Sequence, residues 1–138
     1  MADKVRKVSY FYTMVPNRPG AGARVLRVLR EARVNLLAFS GFPHGGRKSQ
    51  LDFVPEDRAL FLRAMRRAGI KSSARKTGFL VEGADRIGAC AAIHDKLAKA
   101  RINVTAMDAL SARGGRYAAI LWVKPKDVAR AARVLGAK

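Results

Sequence analysis

Two histidines, one cysteine and ten carboxylates are the side chains on which this 138-residue chain could build a catalytic or metal site. Their spacing does not assemble one. His44 lies in the glycine-rich stretch Pro43-His44-Gly45-Gly46 and His94 in a helical run, and no His/Cys/carboxylate interval resembles a zinc site. Cys90 stands near the start of a helix, where a thiolate is favoured, but no histidine has the spacing that a cysteine nucleophile shows. It reads as a small core thiol, and a lone cysteine excludes an internal disulfide. The carboxylates show no pairing suited to general acid–base work. Gly20-Ala21-Gly22 is too short for a dinucleotide fingerprint. These patterns point away from an enzyme, and no metal or cofactor is expected.

The chemistry on offer is recognition of anions. The chain carries 28 Lys+Arg against 10 Asp+Glu, a formal charge of +18. Residues 1–69 and 70–138 each hold 14 basic and 5 acidic side chains, so the charge belongs to the whole folded surface and not to a tail. It predicts attraction to nucleic acid, anionic membranes or acidic proteins. The stacking positions count against an RNA-recognition sheet. In the window Gly115–Trp122, Ala119 takes the place of a stacking aromatic and Arg116 that of a glycine, while the equivalent strand upstream offers Ser49 and Leu51. A basic helical face of Arg24, Arg27, Arg30, Arg63, Arg66, Arg67, Arg130 and Arg133 remains as an alternative route to nucleic acid. No apolar run reaches the ~18–20 residues of a membrane span. No apolar leader follows Met1-Ala2-Asp3-Lys4, so a cytoplasmic location is expected.

The elements that position these residues occur twice. A shift of 68 residues aligns Val15–Ala38 with Gly83–Ala106 and makes nine of 24 pairs identical, among them Arg18/Arg86, Gly20/Gly88, Arg33/Arg101 and Asn35/Asn103. Lys7–Val15 reads as a strand and Asn17–Gly20 as a turn, with Pro19 in the first turn of a helix carrying Ala21, Val25, Val28, Leu29 and Ala32 on one face. Strands at Leu36–Phe42 and Lys48–Val54 follow, then a helix capped by Asp57 and stopped by Gly69. The second copy has a strand at Lys76–Val81, a helix at Ile87–Ala100, strands at Val104–Leu110 and Arg116–Val123, and a closing helix lined by Val128, Ala131, Ala132 and Leu135. Ile70–Arg75 can complete the first unit as a fourth strand, whereas the second unit lacks that strand. The pattern predicts an α+β protein of two tandem βαββαβ (ferredoxin-like) units at 4–75 and 76–138, antiparallel sheets with helices on one face. An unpaired edge on the second unit, and the small size of each, predict a homodimer.

Asn17-Arg18-Pro19-Gly20, an amphipathic helix and then Arg33-Val34-Asn35-Leu36 resemble the signature of ACT domains, small regulatory modules that bind amino acids. Gly83–Gly88 and Arg101–Val104 repeat it at the same spacing. The resemblance implies a freestanding, non-catalytic sensor of a small amino acid or related metabolite, passing its signal to a separate partner. An acidic enzyme or regulator would suit the charge. It implies ligand contacts at Asn17, Arg18, Pro19 and Gly20 in the first repeat, and at Asp85, Arg86 and Gly88 in the second. Asn35 and Asn103 would reach a ligand from a neighbouring unit. The physics suits that use: a helix N-terminus offers free N–H groups to an α-carboxylate, and glycine admits close approach. Asp85 in place of Asn17 would repel a carboxylate, so the first repeat is the better site. As a purely structural alternative, Asn35 and Asn103 would be the left-handed residues that end their helices.

Overall fold

The computed structural model describes residues 3–138. Six strands and four helices run in the order β1 (Lys4–Pro16), α1 (Ala21–Glu31), β2 (Leu36–His44), β3 (Lys48–Pro55), α2 (Arg58–Arg67), β4 (Lys76–Ala84), α3 (Ala89–Lys99), β5 (Val104–Ala112), β6 (Arg116–Val123) and α4 (Val128–Leu135), with a 3-10 turn at Pro125–Asp127. They form two compact units, and the division falls inside β1: Ser9–Lys76 makes one unit, while the residues up to Val8 join Thr77–Lys138 in the other.

In the unit Ser9–Lys76, β3 pairs antiparallel with β1 on one side, setting Phe11 opposite Phe53, and with β2 on the other. Odd-numbered Phe11, Thr13 and Val15 of β1 point inward, the period of two that strand geometry imposes. Helices α1 and α2 cover that face with Val25, Leu29, Phe61 and Met65. Three phenylalanines form the centre. Phe61 stacks on Phe11 at 5.2 Å and meets Phe53 at 5.4 Å, contacts that contribute about 0.5–1.5 kcal/mol each beyond their burial. Asp57 caps α2 as expected, accepting from Leu60 N–H at 3.1 Å. Ile70–Arg75 runs beside β1 without becoming a regular strand. Ser73 N–H donates to the Tyr12 carbonyl at 2.8 Å, but Tyr12 N–H donates to the Ser73 hydroxyl at 3.0 Å, so a side chain stands where a ladder needs a carbonyl.

The other unit repeats the plan. β6 lies between β4 and β5, with Phe79 opposite Leu121, and α3 and α4 cover the sheet with Ile93, Leu97, Ala131 and Leu135. Residues 76–138 supply three strands, as the sequence implies, yet the edge of β4 is not open. β1 is its neighbour in the strand order, and Val5 belongs to this core. Lys7 N–H donates to Lys138 O at 3.0 Å, and Lys138 N–H to Val5 O at 3.3 Å. Residues 4–8, placed with the first repeat on the sequence, thus pack with the second, and the unpaired edge invoked for a dimer is covered.

Correspondences between the repeats extend to irregular features. β2 and β5 each carry a bulge near their start, between Leu36 and Ala38 and between Val104 and Ala106. Helices α1 and α3 end in the same six-residue closure: Val34 N–H donates to Leu29 O and Ile102 N–H to Leu97 O, both at 2.9 Å. The left-handed residue in each is an arginine, Arg33 at φ 61° and Arg101 at φ 58°, and not Asn35 or Asn103. The helices start later than the periodicity suggests, because Gly20 (φ 90°) and Gly88 (φ 82°) serve as left-handed N-caps. Pro19 therefore precedes the helix instead of opening it.

The arginine at each helix end carries a Cβ penalty that glycine would not. Arg33→Gly or Arg101→Gly should raise the free energy of urea unfolding by about 0.5–1 kcal/mol, the relief being partly offset by glycine's greater freedom when unfolded. Arg33→Val should lower it; no gain with glycine would contradict the assignment.

Candidate functional site

The turn between β1 and α1 is built from backbone outward. Asn17 N–H donates to Arg47 O at 2.8 Å, and Arg18 N–H returns to Pro16 O at 2.9 Å. Arg47 follows the Gly45-Gly46 pair, both at positive φ, which closes the β2–β3 hairpin. The Asn17 amide is engaged at both ends: Nδ2 donates to Gly46 O at 3.4 Å and Oδ1 accepts from Ser49 Oγ at 3.0 Å. Its first role is to pin the turn to the hairpin. Beyond it, Gly20 leaves α1 without a side-chain cap, and the N–H groups of Gly22 and Ala23 have no acceptor among the described residues. Arg18 and Pro19 are exposed beside them.

The second repeat reproduces the backbone, with Asp85 N–H donating to Gly115 O at 2.8 Å and Gly88 opening α3 uncapped. Its surroundings differ. Arg86 reaches the Asp3 carboxylate with both terminal nitrogens, at 3.0 and 3.2 Å, and also donates to Ala84 O at 2.8 Å. Tyr117 Oη donates to the same carboxylate at 2.7 Å, with the Arg86 guanidinium 5.8 Å from its ring. The chain's own carboxylate thus lies beside this turn, held by Arg86 and Tyr117. The first repeat differs at both strand positions, with Ser49 opposite Val15 where the second has Tyr117 opposite Gly83. Gly83 stands where the first repeat has Val15, and a Cβ on Gly83 would collide with the Asp3 carboxylate and with the Tyr117 ring at 2.9 Å. Asp3 and Tyr117 carry no motif, and their meeting depends on the N-terminal segment lying beside β4; sequence reasoning missed both.

Asn35 and Asn103 are exposed just after the helices. Asn35 Nδ2 donates to Glu56 Oε2 at 3.4 Å, and its carbonyl accepts from Glu56 N–H at 2.9 Å. With Leu26, Arg30, Arg33 and Leu36 it lines an open depression of ≈ 420 Å³ at the C-terminal end of α1. The turn at Asn17–Gly20 lies at the other end of that 11-residue helix, roughly 16 Å away at 1.5 Å per residue. Within one unit, therefore, Asn17 and Asn35 do not share a site. Elsewhere, Cys90 is half-buried and the His94 ring is exposed, its Nε2 3.2 Å from Met107 Sδ. No group of His, Cys, Asp and Glu able to hold a metal ion occurs among the described residues. Nor is any helix among them long and apolar enough to cross a membrane.

The Asp3 cluster has a measurable titration. Burial alone would raise the Asp3 carboxyl, but hydrogen bonds from Arg86 and Tyr117 outweigh it and hold the group below its ordinary value. Burial and the bond to Asp3 push the Tyr117 phenol up to about 12. A raised phenol stabilises the fold fully below the unfolded value near 10 and loses that contribution as pH rises through the folded value. Ultraviolet titration should resolve one tyrosine with a midpoint near 12, and Asp3→Ala should bring it toward 10. A Tyr117 midpoint near 10 in the unaltered protein would contradict the cluster.

No family model matches the chain, and no curated protein matches its sequence. Solved structures do match its fold. Protein BT0572 from Bacteroides thetaiotaomicron superposes with a TM-score of 0.82 at 15% identity, over 96% of this chain and 88% of that one. The ligand-free regulatory subunit of aspartate kinase from Thermus thermophilus gives 0.67 at 16% identity, over 99% and 95%. A putative C-terminal regulatory domain of aspartate kinase from Porphyromonas gingivalis gives 0.54 at 13% identity, over 98% and 94%. The chain has the ACT-like α+β fold of these regulatory subunits.

Proposed function

We propose that this protein is a freestanding amino-acid sensor built of two ACT-like repeats, with its ligand site at the Asn17–Gly20 turn. The observation that carries the reading is the difference between two otherwise matching turns: Arg86 of the second already pairs with the Asp3 carboxylate, whereas Arg18 of the first has no acidic partner among the described residues. In the first, the N–H groups of Gly22 and Ala23 at the positive end of α1 would receive an α-carboxylate, and Gly20 would let it approach. The second lone pair of Asn17 Oδ1 would accept from the α-ammonium group. Similarity to regulatory subunits over nearly their whole length supports a regulatory role without catalysis. In this reading the protein acts in the cytoplasm on a separate acidic enzyme or regulator, drawn by the +18 surface. It works as a homodimer, in which a second copy brings Asn35 or Asn103 toward the ligand. The edge strands β2 and β5, with exposed Phe39, Phe42 and Leu110, are where copies would meet.

A thermal-shift screen against the amino acids tests this. A ligand at 100 times its Kd should add about 2.7 kcal/mol to stability. Asn17→Ala should destabilise the free protein by about 1 kcal/mol through the lost turn bonds, and weaken ligand binding by a further ~1–3 kcal/mol. Asp85→Ala should leave affinity unchanged. No shift with any amino acid would overturn the reading; unchanged affinity in Asn17→Ala would reduce Asn17 to a turn residue.

A further inference from the structure

Arginines dominate the outer surface of the helix layer in the unit Ser9–Lys76. Arg24, Arg27 and Arg30 of α1 are exposed and turned away from buried Val25 and Leu29. Arg63, Arg66 and Arg67 of α2 are likewise turned away from Phe61, Ala64 and Met65. The two helices pack side by side, with an open groove of ≈ 390 Å³ between them lined by Val28, Glu31, Leu60, Arg63 and Arg67. The ion pairs found among the described residues are Arg86–Asp3 and Arg130–Asp127, so none of these six guanidinium groups is neutralised. Glu31 is the only acidic residue within the two helices.

Several of these arginines stand at i,i+3 or i,i+4 (24/27, 27/30, 63/66 and 63/67), where like charges destabilise a helix. Arg30, Arg66 and Arg67 gain from the negative C-terminal ends of their helices, but Arg24, Arg27 and Arg63 do not. A row of unpaired, mutually repelling guanidinium groups would be stabilised by an external polyanion. From Arg24 to Arg30 it extends about 9 Å along the helix axis, against one phosphate charge per ~1.7 Å of duplex axis.

We infer that the α1–α2 face binds nucleic acid through its phosphodiester backbone, without reading base sequence. Guanidinium forks match phosphate oxygens in pairs. The large exposed apolar side chains of the described residues are Phe39, Phe42, Ile87 and Leu110, none on α1 or α2, so this face offers a membrane nothing to insert and bases nothing to stack on.

Fluorescence anisotropy with labelled duplex DNA and RNA, from 50 to 200 mM salt, tests it. Each phosphate contact contributes about 0.9 to the slope of log K against log salt. The triple change R24Q/R27Q/R63Q should weaken binding by about 30-fold or more at 50 mM and reduce that slope by two to three. The matched control K96Q/K99Q/R101Q, on α3 and its end, removes the same charge and should weaken binding less than about threefold. Circular dichroism should show both triples folded, since all six sites are exposed. Equal losses in the two triples would overturn the inference by reducing the effect to net charge. So would binding that vanishes at 150 mM salt, or a preference for anionic phospholipid vesicles over nucleic acid.

Discussion

The register of β1 is the constraint on which both units depend. Its 13 residues are divided, Val5 entering one core and Phe11 and Val15 the other, and all three are odd-numbered. Because strand side chains alternate, a slip of one residue would turn every one of them to the opposite face and empty both cores together. The same strand closes the edge that residues 76–138 leave on β4, so a chain of two small repeats obtains a fourth strand for the second from the start of the first.

That arrangement also makes the two β–α turns differ. The two β–α turns are built alike: an N–H donated to the following hairpin, an uncapped helix and a left-handed glycine. Their difference comes from β1. Beside β4, its leading end carries Asp3 into the space that Gly83 leaves, where Arg86 and Tyr117 grip the carboxylate. In the first repeat Val15 occupies the corresponding position, and Ser49 donates to Asn17 instead. One repeat thus holds a carboxylate on Arg86 and Tyr117 and the other does not, while both leave the first N–H groups of their helices unbonded among the described residues.

Most of the fold was legible because it rests on local patterns. Helical stripes, β-branched runs and paired glycines are properties of nearby residues, and with the 68-residue repeat they indicate the order of elements and the fold class correctly. What the sequence hid lies in long-range geometry. Nothing near Lys4–Val8 signals that it packs with residues some 70 positions away. The arginines at the ends of α1 and α3 look like solvated charges, and their left-handed backbone appears only when the helix closure is seen. At the site, the turn and its glycines were readable. The Asn17 bonds to Gly46 and Ser49 were not, because they depend on where the β2–β3 hairpin folds back.

The central proposal is that the first turn takes a carboxylate ligand and the second, where Asp3 already pairs with Arg86 and Asp85 replaces Asn17, does not. Calorimetric titration with whichever amino acid stabilises the protein tests this most directly, by its stoichiometry. The account predicts one amino acid bound per chain, with no binding of the corresponding methyl ester, which lacks the carboxylate. Two amino acids per chain, or an ester that binds as well as the free acid, would contradict it.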